Sequence, residues 1–200
     1  MYKRQLYLEQ QPFTPEETFG LNIAFIDNLD SFSHNIIHAL RALGCNVEVF
    51  DGRGEIVEFE HDAIVIGPGP GRPEISPLSM HAAILDIPIL GICLGHQAIG
   101  LTRGMKLIDS PLGPVHGVPS TVIAIGEGLL RQGNHVMTRY YSLILSGVGD
   151  VSITAKDETG TLTMEIRDGD TYGVQFHPES IGSNGGMEVL VEFLRRVAHC

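Results

Sequence analysis

Hydrophobic and polar positions follow two rhythms along the chain. Residues 21–27 (LNIAFID) form a short apolar run closed by an acid, the pattern of a buried strand. Over residues 31–43, Phe32, Ile36, Ile37, Leu40 and Leu43 recur at helical spacing. Asp30 or Ser31 can cap the start of that helix, and Gly44 suits the left-handed position that ends one. Residues 46–50, 63–66 and 87–92 read as further short strands, residues 77–85 as a helix, and a helical stretch follows Cys93 through Gln97 and Ile99. Strands alternating with helices imply a parallel sheet with helices on both faces. Beyond residue 120 the pattern becomes β-rich, with strands predicted at 121–125, 135–145, 151–156, 161–167 and 171–176. Asp157-Glu158-Thr159-Gly160 reads as a hairpin turn, and Val189, Leu190, Phe193, Leu194 and Val197 mark an amphipathic C-terminal helix. The expected fold class is α/β: one domain with a mostly parallel open sheet flanked by helices and a β-rich second half.

Length agrees with this picture, because 200 residues suit one domain with a sizeable core. The expected organisation is a polar arm at residues 1–20, punctuated by Pro12 and Pro15, and a domain at residues 21–200. Thirteen Lys and Arg against 24 Asp and Glu leave a net charge of −11, which argues against nucleic-acid and anionic-membrane partners. Cys45, Cys93 and Cys200 form no C-x-x-C pair, so neither a metal site nor a disulfide framework is expected. With no apolar signal core and no membrane-length apolar run, the expected location is the cytoplasm.

Chemistry concentrates at three places. Gly91-Ile92-Cys93-Leu94-Gly95 sits between a predicted strand and helix, a G-x-C-x-G version of the nucleophile elbow. Small flanking residues permit the sharp turn, the helix N-terminus favours a thiolate, and the Leu94 N–H would face a developing oxyanion. A small buried cysteine is the plain alternative. His177 and Glu179 flank Pro178 on extended chain, where alternate residues face one side, so the carboxylate can orient the imidazole as a base. A solvated turn would carry the same residues. His96 and Gln97 stand just past the cysteine as further pocket residues, whereas His116 has no carboxylate nearby in sequence. Gly67-Pro68-Gly69-Pro70-Gly71 follows a strand at the ligand-binding end of the sheet. Its prolines remove N–H donors that a phosphate loop needs, so it reads as a stiff loop presenting a glycine amide, or as a structural turn.

GICLGHQAIG (91–100), GPGPG (67–71) and YGVQFHPESI (172–181) together resemble the class I, triad-type glutamine amidotransferases. With DNLDSFSHN (27–35) and RYYSL (139–143), the resemblance narrows to the glutaminase subunits of anthranilate synthase and aminodeoxychorismate synthase. The resemblance implies the flavodoxin-like amidotransferase fold and a Cys93, His177, Glu179 triad that hydrolyses L-glutamine through a thioester. It further implies an oxyanion hole from the Gly69 and Leu94 amides, and glutamine binding by Gly69, Pro70, Gly71, Gln97, Ser142 and Leu143. The implied partner is a synthase subunit acting on chorismate or a related acceptor, with no cofactor or metal in this subunit. Three positions depart from the family pattern: Val118 stands where a lysine is common, Tyr141 where a histidine is common, and residues 50–93 are compressed. Two rival readings are a non-catalytic regulatory relative and a stand-alone cysteine hydrolase of γ-glutamyl or other amides.

Overall fold

In a computed structural model, which describes residues 17–199, the first apolar run forms β1 (Asn22–Asp27) and α1 (Ser33–Ala42) follows it. The acids between them organise the connecting turn instead of capping the helix. Asp27 Oδ1 accepts the Leu29 N–H and the Ser33 hydroxyl, and Asp30 Oδ1 accepts the Phe32 N–H, so α1 starts two residues later than predicted. Its end matches expectation. Gly44 (φ +79°) donates to the Arg41 carbonyl and Cys45 to the Leu40 carbonyl, the paired bonds of a Schellman close.

The parallel half continues with β2 (Asn46–Asp51), β3 (Ala63–Ile66), the short α2 (Pro77–Ala82), β4 (Ile89–Ile92) and α3 (Leu94–Thr102). No helix joins β2 to β3; Val57 and Phe59 of the connecting segment pack on the core instead, which is the structural form of the compression at residues 50–93. The second half contributes β5 (Lys106–Asp109), β6 (Val115–Ala124), β7 (Gly133–Tyr141), β8 (Leu143–Ser146), β9 (Ser152–Asp157), β10 (Thr163–Asp168), β11 (Thr171–Val174) and α4 (Gly186–Ala198). Among the described residues the main sheet runs β2-β1-β3-β4-β11-β10-β9-β6-β7. It is parallel from β2 to β11 and antiparallel from β11 outward. The result is a mixed α/β fold whose parallel centre is flanked by helices.

Strand alternation builds the two layers. Ile23 and Phe25 of β1 pack with α1 and α4, while Ala24 and Ile26 pack with α2 and α3 on the other face. Both faces are apolar, so central strands lack any polar alternation.

Two predicted strands change on folding. The run at 135–145 breaks at Ser142, because β7 stays in the main sheet while β8 leaves it to pair with β5. The strand predicted at 121–125 begins six residues earlier, with a register shift at Gly117 (φ +65°). That extension is mostly exposed and therefore carries no hydrophobic signature. Of the predicted arm, residues 1–16 lie outside the described residues, as does Cys200. Glu17 pairs with Arg195 of α4 at 2.7 Å, and Phe19 packs against the core.

Candidate active site

Cys93 occupies the turn between β4 and α3 with φ +54° and ψ −98°, a conformation that costs a non-glycine residue about 1–3 kcal/mol. The neighbouring glycines are what the turn requires. A Cβ on Gly91 would collide with the Gly95 backbone, and one on Gly95 with the Ile66 carbonyl. The Cys93 N–H donates to the Val174 carbonyl (2.8 Å), and its carbonyl accepts the Gln97 N–H (3.1 Å), so strand and helix hold the turn from both sides. The thiol proton is directed at the Tyr140 carbonyl, 3.4 Å away.

His177 follows β11 on extended chain. Its N–H donates to the Thr138 carbonyl of β7 (2.9 Å), and its carbonyl accepts the Ser183 hydroxyl (2.6 Å). The side chains of His177 and Glu179 are both buried, and Nδ1 lies 2.7 Å from Glu179 Oε1. Phe32 and Tyr140 make T-shaped contacts with the imidazole, with ring centroids at 5.9 and 5.2 Å. Nε2 has no hydrogen-bond partner among the described residues. Burial alone would lower this imidazole's pKa, but the adjacent Cys93 sulfur and then Glu179 outweigh it and raise the value well above 6.5.

A cavity of about 310 Å³ joins these parts. It is lined by Cys93, His177, Gly69, Pro70, Gly71, Gln97, Ser142 and Leu143, all anticipated from sequence, with Asp30, His116, Tyr140 and Tyr141 in addition. Leu94 begins α3, and its side chain reaches the glycine loop: a Cβ on Gly69 would sit 3.2 Å from Leu94 Cδ1. Glu179 stands behind His177 and does not line the cavity. A larger hollow of about 540 Å³, over β9 and β10, contains no cysteine or histidine and lies apart from this chemistry.

Several site residues escaped sequence reasoning. Asn28 is buried; its Nδ2 donates to the Gly67 carbonyl (2.9 Å) and its Oδ1 accepts the Ser79 hydroxyl (2.8 Å), anchoring the glycine loop. Gln175 is fully buried beside Cys93. Its signal was available, a polar residue inside an apolar strand sequence. His116 reaches the cavity from β6 although no carboxylate neighbours it in sequence. His96 corrects an expectation: it does not line the cavity with Gln97. One helical step of about 100° turns it away from the cavity, where it is fully buried with Nδ1 near Gly173 of β11. Among the described residues no group of three or more His, Cys, Asp or Glu could hold a metal, and no helix is long and apolar enough to cross a membrane.

This pairing of a cysteine elbow with an α/β sheet has counterparts among known proteins. The glutamine amidotransferase class-I family model matches residues 24–197, and the chain belongs to that family. Within it, the chain is 36% identical over 186 residues to anthranilate synthase component 2 of Azospirillum brasilense, covering 86% of this chain and 94% of that protein. It is 38% identical over 189 residues to aminodeoxychorismate synthase component 2 of Klebsiella aerogenes, covering 87% and 100%. A glutamine amidotransferase from Thermotoga maritima shares the fold, with a TM-score of 0.66 at 19% identity over 80% of this chain and 76% of that one.

Proposed function

We propose that the chain is a glutaminase subunit in which Cys93 is the nucleophile, His177 the acid and base, and Glu179 the group that orients His177. The observation carrying this reading is the buried 2.7 Å His177–Glu179 contact, which leaves Nε2 unpaired in the cavity that also holds Cys93. A carboxylate at Nδ1 keeps the proton there and leaves Nε2 to accept one from the thiol. The sulfur then attacks the side-chain amide carbon of L-glutamine, and the oxyanion is stabilised by the Gly69 and Leu94 N–H groups. His177 passes its proton to the departing nitrogen, so ammonia leaves and a γ-glutamyl thioester remains. Water, deprotonated by His177, attacks the thioester; the sulfur leaves and glutamate is released. Gly69, Pro70, Gly71, Gln97 and the backbone at Ser142 and Leu143 hold the substrate.

The two component 2 relatives support a further assignment: the ammonia passes to a synthase subunit that acts on chorismate, of the anthranilate or aminodeoxychorismate type. The work is assigned to residues 21–200, with residues 1–20 as an arm. Cys93→Ser is expected to abolish glutamine-dependent ammonia release; normal release would overturn the mechanism. Purification with the native synthase, followed by identification of the aromatic amine made from chorismate and glutamine, tests the acceptor. No thioester even with the partner present would favour a regulatory relative. Full-rate hydrolysis of other amides without a partner would favour a stand-alone hydrolase.

A further inference from the structure

Gln175 is fully buried at the C-terminal end of β11, where an apolar residue would pack without leaving polar atoms to satisfy. Its two polar atoms are both engaged: Nε2 lies 3.6 Å from Cys93 Sγ, and Oε1 lies 3.1 Å from Gln97 Nε2. The orientation of this amide pair follows from one unambiguous acceptor. Leu143 presents a backbone carbonyl 2.9 Å from the Gln97 amide, and a carbonyl can only accept, so the atom facing it is Gln97 nitrogen. That NH2 group also faces Gln175, whose oxygen must therefore turn toward it. The Gln175 nitrogen is left pointing at the sulfur.

We infer that Gln175 is a further catalytic residue, whose side-chain amide donates a hydrogen bond to the Cys93 sulfur and stabilises it when it carries negative charge. This rests on the reading of Cys93 as the nucleophile. A neutral thiol or a thioester sulfur is a weak acceptor and a thiolate a strong one, so the bond favours both attack on the amide and departure of sulfur in hydrolysis. The same amide fixes Gln97 against Leu143, tying the nucleophile to the wall where the substrate is held.

Gln175→Glu and Gln175→Met separate these contributions. The glutamate keeps an acceptor for Gln97 and loses the donor to sulfur; the methionine loses both at similar volume. The readout is the rate of Cys93 alkylation by iodoacetamide in the full-length chain, located by peptide mass spectrometry, beside glutamine-dependent ammonia release. The titratable groups sharing the cavity with Cys93 are His177, backed by Glu179, together with Asp30, His116, Tyr140 and Tyr141. Near pH 7 both variants are expected to alkylate about tenfold more slowly than the parent, with the difference vanishing near pH 10, well above the ordinary range of thiol ionisation, about 8.5. The glutamate variant is expected to lose kcat with KM held, and the methionine variant to lose both.

Parent-like alkylation near pH 7 in a folded variant would overturn the inference. So would an equal slowing at both pH values, which would mark lost access instead of lost charge stabilisation. If neither variant folds, Gln97→Leu decides, since it removes the donor that orients Gln175: slower alkylation near pH 7 alone supports the inference, and an unchanged rate overturns it. Alkylation reports on the sulfur whether or not glutamine is the substrate. Failure of the glutaminase reading would appear separately, as ammonia release by Cys93→Ser.

Discussion

Two histidines close to β11 are both buried, yet their surroundings push them in opposite directions. His177 touches Glu179 and lies beside the Cys93 sulfur, and its pKa is raised well above 6.5. His96 is enclosed by α3 and the sheet; burial lowers it to about 4, and the nearby Gly173 backbone offsets little of that. Neither of its ring nitrogens has a hydrogen-bond partner among the described residues. Burial is thus common to both sites, and the partner decides the outcome. In the proposed mechanism His177 can serve as a base because a carboxylate orients it and its other nitrogen is left without a hydrogen-bond partner among the described residues.

That contrast breaks hardest at His177. His177→Ala is expected to lower kcat for ammonia release by about a thousandfold or more, since in the proposed mechanism the thiol loses its base and the departing nitrogen its proton donor. A loss under tenfold would mean that another group, His116 of the cavity wall being the nearest in kind, takes the proton. Glu179→Gln tests the partner itself. An amide in this position keeps the shape but offers either a donor or a weaker acceptor to Nδ1. We expect about a hundredfold loss of kcat with KM little changed, measured by glutamine titration. An unchanged kcat would show that Glu179 only anchors the chain after β11.

The same division explains what could be read from sequence. The parallel half was legible because its signals are local: apolar runs closed by turns, Gly44 at a helix end, and glycines spaced around Cys93. His177 and Glu179 were legible because two positions along an extended chain share a face. Asn28 was not, since it acts across the fold on a residue 39 positions away; Gln175 showed only as a polar residue in an apolar strand, its partner Cys93 lying 82 positions away. His96 misled for a related reason. Adjacency to Gln97 in sequence suggested a shared pocket, but neighbours on a helix face different directions. The break at Ser142 was equally hidden, because strand periodicity says nothing about which sheet a strand joins. The β6 extension stayed hidden because an exposed edge segment shows no apolar alternation.

His96 offers the quietest test, in stability instead of rate. Its folded-state pKa of about 4 lies below the unfolded value of 6.5. Near pH 7 both states hold a neutral ring, so no linkage arises. As pH falls through 6.5 the unfolded chain takes up a proton that the buried ring refuses until about 4, and folded-state stability drains across that window. For His177 the sign is opposite: stability tied to its proton is present below 6.5 and lost as pH rises through its elevated value. His96→Met fills much of the same space with an unbranched apolar chain and removes the titration. Urea unfolding of parent and variant near pH 7 and near pH 4.5 should show the acid loss shrinking by roughly 2–3 kcal/mol in the variant. Ammonia release near neutral pH should be unaffected, because His96 does not line the cavity. An acid loss identical in parent and variant would mean that the imidazole is charged inside the fold, and that burial without a partner does not govern it.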